Sequence, residues 1–152
     1  MKTLTKYLKG NYVFFLNAET RNDAIQSLVD NLHRQSIVPN PEAFYQAILD
    51  REKLVSTGIG MGVALPHAKM VNYESFFISI GILSKGVNWN SIDHAPVRLI
   101  FLIGGPDDKQ TEYLQILSHL TQVIKNEEIR KKLLTINSKE DIIDLFINSS
   151  KK

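Results

Sequence analysis

Two short apolar runs, Phe76 to Leu83 and Val97 to Ile103, do most to limit the fold. Each is nearly continuous in apolar residues and bounded by turn-forming residues, so each reads as a buried strand. Gly86-Val87-Asn88-Trp89 opens a loop or edge region between them, and Gly104-Gly105-Pro106-Asp107-Asp108 reads as a turn. A third strand is expected at Asn11-Tyr12-Val13-Phe14-Phe15-Leu16.

Helical spacing alternates with these strands. Thr20 with Asp23 forms a capping pair ahead of Ala24, Ile25, Leu28, Val29 and Leu32, so a helix runs to about Gln35. Asn40-Pro41-Glu42 reads as N-cap, proline at the first helical position and an acid in the first turn. The helix it starts carries Phe44, Ala47, Ile48 and Arg51. Tyr113, Leu114, Ile116, Leu117, Leu120, Val123 and Ile124 mark a long amphipathic helix. Ser138 with Asp141 opens a last helix bearing Ile142, Ile143, Leu145 and Phe146, and Asn148 to Lys152 reads as a fraying polar tail. Such interleaving predicts an α/β chain whose sheet is covered by helices.

The 152 residues suffice for one domain with its own core, and no linker-like stretch divides them. With 43% hydrophobic and 22% charged residues, general disorder is excluded. A net charge of +2 points weakly, if at all, to nucleic acid. The chain has no cysteine, which removes disulfides, thiolate metal sites and cysteine nucleophiles. No run approaches the roughly 20 apolar residues of a membrane helix, and Met1 to Lys6 has no apolar signal core behind it, so the expectation is a cytoplasmic protein.

The chemistry-bearing segment is Thr57-Gly58-Ile59-Gly60-Met61-Gly62-Val63-Ala64-Leu65-Pro66-His67. Its alternate glycines disfavour a helix and suit tight turns. They match neither G-x-G-x-x-G nor a Walker A loop, so nucleotide binding is poorly supported. A lone histidine is by default exposed or structural, but the surroundings of His67 suit a phosphoryl group. Glycine N–H groups upstream can converge on an anion, Arg51 supplies a fixed cation, and Ser56 and Thr57 offer hydroxyl donors. An imidazole nitrogen is both a good nucleophile and a good leaving group, so it can hold a phosphoryl group and pass it on. His33, His94 and His119 are expected at structural or solvated positions, and the four histidines show no metal-binding spacing.

The run from Arg51 through Ala68 resembles the active-site signature of enzyme IIA of the bacterial phosphoenolpyruvate:sugar phosphotransferase system, in its fructose/mannitol/nitrogen-regulatory branch. Pro41-Glu42-Ala43-Phe44, Gly86 to Asp93 and Pro96 to Ile103 also match that family, and the resemblance spans about Leu4 to Phe146. It implies one type-2 IIA domain over 1–152, with a mixed sheet sandwiched by helices. It implies a phosphotransferase component with no cofactor or metal, in which His67 accepts a phosphoryl group from the phosphocarrier protein HPr and passes it to a IIB domain. Arg51 would steady the phosphoryl oxygens. An alternative in the same family is a nitrogen-related regulatory protein whose partner binding depends on phosphorylation of His67. Neither role involves nucleic acid or membrane insertion. The chain departs from the family at Tyr113, which stands where many members carry a second active-site histidine. A tyrosine hydroxyl donates a hydrogen bond but carries no positive charge near neutral pH. Ile59 and Met61 are candidate docking residues, with core packing as the competing role.

Overall fold

The computed structural model describes Leu4 and residues 6–150. After a 3-10 turn at Gly10–Tyr12 the elements are β1 (Val13–Leu16), α1 (Arg21–Arg34), α2 (Pro41–Leu54), β2 (Gly58–Gly60), β3 (Val63–Ala64), β4 (His67–Met70), β5 (Phe77–Val87), β6 (Val97–Pro106), α3 (Gln110–Ile124), α4 (Glu127–Thr135) and α5 (Lys139–Ser150). The strands form one mixed sheet in the order β1-β5-β6-β3-β2, with β4 also pairing with β6. β5 and β6 run antiparallel at its centre, β1 is parallel to β5, and β3 and β4 are both parallel to β6.

Helices cover both faces, as expected. On one face Ile78, Ile80, Ile82, Leu99, Phe101 and Ile103 pack with α3, α4 and α5. On the other, Leu83, Ile100 and Leu102 pack with Ala24, Ile25, Leu28, Val29 and Leu32 of α1 and with Phe44 and Ile48 of α2. β5 and β6 are thus apolar on both sides, which is why they appear in the sequence as unbroken runs rather than alternating ones. Burying one such Leu, Ile or Phe side chain stabilises the fold by about 1.5–3 kcal/mol.

Two of the helix starts foreseen from capping residues are capped by those side chains, and a third is not. Thr20 accepts from the Asp23 N–H at 3.1 Å, and Ser138 accepts from the Asp141 N–H at 3.3 Å. Asn40 holds the N-cap position of α2 but makes no side-chain cap bond; its Oδ1 instead accepts from the Tyr73 hydroxyl at 3.3 Å.

Several boundaries differ from the sequence reading. Asn11 and Tyr12 belong to the 3-10 turn, so β1 begins at Val13. β5 continues through Gly86 and Val87, and β6 continues through Gly104, Gly105 and Pro106, where a turn was expected. The strand needs glycine at these two positions because Phe77 and Phe76 pack close against them: a Cβ on Gly104 or Gly105 would come within 2.4 Å or 2.1 Å of a ring carbon. α5 runs through Ser150, where a fraying tail was expected from Asn148; Lys151 and Lys152, the rest of that expected tail, lie outside the described residues. The glycine segment is a small hairpin, β2 against β3, turning through Gly60 (φ 94°), Met61 (φ 62°) and Gly62 (φ 75°). Three consecutive left-handed residues explain the two flanking glycines.

Candidate functional site

β4 lies along β6, and its residues alternate between the two faces of the sheet. Ala68 and Met70 join the apolar cluster under α1 and α2. His67 and Lys69 therefore turn to the other face, where α3 brings Tyr113. From the end of α2, Arg51 reaches the same histidine.

The contacts of His67 define its tautomer. Nδ1 lies 3.1 Å from the Leu65 carbonyl oxygen, which can only accept, so Nδ1 carries the proton. Arg51 Nε donates to Nε2 at 3.2 Å, and a guanidinium can only donate, so Nε2 presents its lone pair. The half-buried ring is held below the usual histidine pKa, first by desolvation and then by the positive charges of Arg51 and Lys69; the Leu65 hydrogen bond and Glu52 oppose this. A neutral imidazole with one free, oriented nitrogen is the form needed for nucleophilic attack.

Arg51 is anchored as well as aimed. Its Nη1 donates to the Val55 carbonyl at 2.9 Å. Beside it in the helix, Glu52 is buried and accepts from the Thr57 N–H at 3.1 Å, from the Thr57 hydroxyl and from Trp89 Nε1 at 3.4 Å. Arg21 Nη1 approaches the same carboxylate at 4.0 Å. This network ties the last turn of α2 to the loop that follows it and to the β5–β6 connection. Ser56 reinforces the tie by donating to the Trp89 carbonyl at 2.6 Å.

Of the expected site residues, the fold brings together His67, Arg51 and Tyr113. The Tyr113 ring is buried on the apolar face of α3, and its centre lies 5.6 Å from that of His67. Packing and site membership are thus the same position. Burial pushes its hydroxyl pKa up, so it stays a neutral donor, although Arg51 pulls the other way. Thr57 is placed differently from the expectation. It is buried, its hydroxyl donates to Glu52 and accepts from Trp89 Nε1 at 3.1 Å, and it acts on the site through Arg51's helix.

Two N–H groups of the glycine hairpin, where convergence on an anion was expected, go to side chains instead: that of Gly58 to Ser56 Oγ and that of Met61 to Asp93 Oδ2, both at 3.0 Å. Backbone donors from Ala95 and Met61 hold the exposed Asp93 carboxyl below its ordinary pKa. Ile59 packs partly against the core, whereas Met61 is exposed. His33 bonds the Val38 carbonyl through Nδ1, and His94 is exposed in the β5–β6 connection. His119 is half-buried rather than on a solvated face, with Nδ1 shut from solvent and unpartnered.

Residues 6–149 match the family described as the phosphoenolpyruvate-dependent sugar phosphotransferase system, EIIA 2. The chain belongs to that family. It is 35% identical over 146 residues to the fructose-specific EIIABC component of Bacillus subtilis strain 168; the match covers 96% of this chain and 23% of that longer protein. It is 32% identical to the fructose-specific EIIA component of Haloferax volcanii, over 84% of this chain and 82% of that one. Two solved structures place this EIIA fold among its relatives. The nitrogen regulatory protein IIA-Ntr of Neisseria meningitidis superposes with a TM-score of 0.86 at 25% identity, covering 93% of this chain and 97% of that one. The Escherichia coli mannitol enzyme IIA, solved in complex with phosphorylated mannitol enzyme IIB, gives 0.76 at 25% identity over 93% and 97%.

Sequence reasoning on this EIIA domain missed Glu52, Trp89 and Lys69. Lys69 had only its place two residues after His67, since the strand that puts both on one face was not legible. Glu52 had only its adjacency to Arg51.

Proposed function

We propose that this chain is a cytoplasmic phosphoryl carrier that accepts a phosphoryl group on His67 Nε2 from phospho-HPr and passes it to a IIB domain. The observation that carries the reading is the pair of one-way hydrogen bonds on the imidazole, which leaves Nε2 as a neutral nucleophile facing a guanidinium. Family membership supports it, as does the solved complex of the mannitol IIA relative with its phosphorylated IIB.

In the accepting step the Nε2 lone pair forms a bond to phosphorus as the P–N bond of the donor's imidazole breaks. The electron pair of that bond stays on the donor nitrogen. The proton stays on Nδ1, hydrogen-bonded to the Leu65 carbonyl throughout, so no general base is required. Arg51 Nε, displaced from Nε2 by the incoming group, donates to a phosphoryl oxygen and offsets charge in the transition state. Reversal of the same steps delivers the group to the next acceptor.

A carrier must release each partner, which favours small transient contacts. Exposed apolar side chains flank the machinery in the chain: Leu54 and Val55 follow Arg51, Met61 tips the glycine hairpin, and Leu114 follows Tyr113. These suit a docking rim.

The second reading keeps the chemistry of His67 and changes its use: phosphorylation tunes binding to a regulatory target. The likeness to IIA-Ntr and 30% identity to a nitrogen regulatory protein of Bradyrhizobium diazoefficiens support it. Incubating the phosphorylated chain with candidate IIB domains separates the two. Transfer to a IIB domain supports the carrier role; phosphorylation-dependent binding to a target, with no transfer to any IIB domain, supports regulation.

A further inference from the structure

We propose that Lys69, seated over the Tyr113 ring, is a second phosphoryl ligand that holds the group opposite Arg51. This rests on His67 being the acceptor, as proposed above.

Lys69 and His67 are alternate residues of β4 and share its face, about 6.7 Å apart along the strand. They also flank one aromatic ring. The Lys69 ammonium sits 4.5 Å from the centre of the Tyr113 ring, and that centre is 5.6 Å from the His67 ring. Tyr113 thus sets the position of the cation through its π face. The other contact of the ammonium is a 2.7 Å hydrogen bond to Gln110 Oε1 in the first turn of α3, a neutral partner on the surface. Among the described residues, neither Lys69 nor Arg51 pairs with a carboxylate. The imidazole therefore lies near two cations that form no ion pair, and the buried Glu52 beside Arg51 only partly offsets their charge. Tyr113 adds a hydroxyl but no charge, so on its side of the ring the positive charge comes from Lys69.

A phosphoryl group arriving on Nε2 brings three oxygens and about two negative charges. Arg51 answers one oxygen. Lys69 exchanges its bond to Gln110 for a charge-assisted bond to another, and the lysine stem has the freedom to make that small shift.

The test is the equilibrium partition of the phosphoryl group between this chain and HPr, with phosphohistidine on each protein quantified by intact mass at neutral pH. That constant depends only on the free proteins and their phosphorylated forms, so a docking defect does not move it. For Lys69→Met the partition shifts about tenfold towards HPr, the size expected of a charge-assisted bond in a partly solvated site. Lys69→Arg keeps most of the wild-type value. Lys69 is exposed, so neither change threatens folding. An unchanged partition in Lys69→Met, while Arg51→Met shifts it, overturns the proposal and leaves His67 as acceptor. A slower approach to the same equilibrium assigns Lys69 to docking and also overturns it. No phosphoryl group on wild type, with HPr itself phosphorylated, removes the acceptor reading and this proposal together.

Discussion

On one side of His67, Arg51 hangs from the last turn of α2 with its guanidinium tied to Nε2 and to the Val55 carbonyl, while the adjacent Glu52 is buried in a network with Thr57 and Trp89. On the other side, Tyr113 is packed but neutral, and the cation above it is an exposed lysine tethered to a surface glutamine. The first flank is preorganised by buried hydrogen bonds, so its donor is in place before the phosphoryl group arrives. The second has a rigid platform and a movable charge. A carrier must both take and give up its cargo. In the proposed carrier role, one fixed ligand and one adaptable ligand would stabilise the phosphoryl group without holding it too tightly to leave.

Substitutions on the two flanks should differ in kind. The largest effect is expected from Arg51→Met, which removes the fixed donor and should slow phosphoryl transfer from HPr by about a hundredfold, the order seen for loss of one preorganised donor. Rapid-quench kinetics on the folded variant would show it; a loss of only a few-fold would mean that the two flanks are equivalent. Next comes Glu52→Ala, which strands the Thr57 and Trp89 donors in the interior and should lower unfolding stability by about 2 kcal/mol in urea melts. Stability equal to wild type would show that the buried network does not hold the Arg51 flank. Tyr113→Phe keeps the ring under Lys69 and deletes only a neutral hydroxyl, so transfer should fall by no more than about threefold.

The smallest effect concerns pH. Burial and two cations hold the His67 pKa below its usual 6.5, so at pH 6.5 more than half of the rings are neutral and competent, and activity persists into mildly acidic buffer. Arg51→Met and Lys69→Met each remove a charge that opposes protonation, so each should raise the His67 pKa in an NMR titration. A downward move in either variant would contradict the electrostatic account of that flank.

Much of this arrangement was legible in the sequence. The central strands showed as apolar runs because both faces of the sheet are covered, and α1 and α3 showed because each buries a regular stripe. His67 and Arg51 stood out through the signature they share with the family. β2, β3 and β4 were hidden because spans of three, two and four residues carry no measurable period. α4 was hidden because it fully buries only Leu133. Thr57 was expected as an anion donor because a hydroxyl beside a glycine loop suits that role. Only the fold brings in Trp89, 32 residues on, and shows that Thr57 faces a buried carboxylate instead. Lys69 escaped notice because an exposed lysine on an edge strand has an obvious solvated role until the ring of Tyr113 is placed beneath it.

The central claim is that His67 carries the phosphoryl group. Intact mass after incubation with phosphoenolpyruvate, enzyme I and HPr tests it directly, for wild type and for His67→Ala. The account predicts one acid-labile phosphoryl group on wild type and none on the variant. A phosphoryl group that persists in His67→Ala, or none on wild type while HPr is phosphorylated, would contradict it.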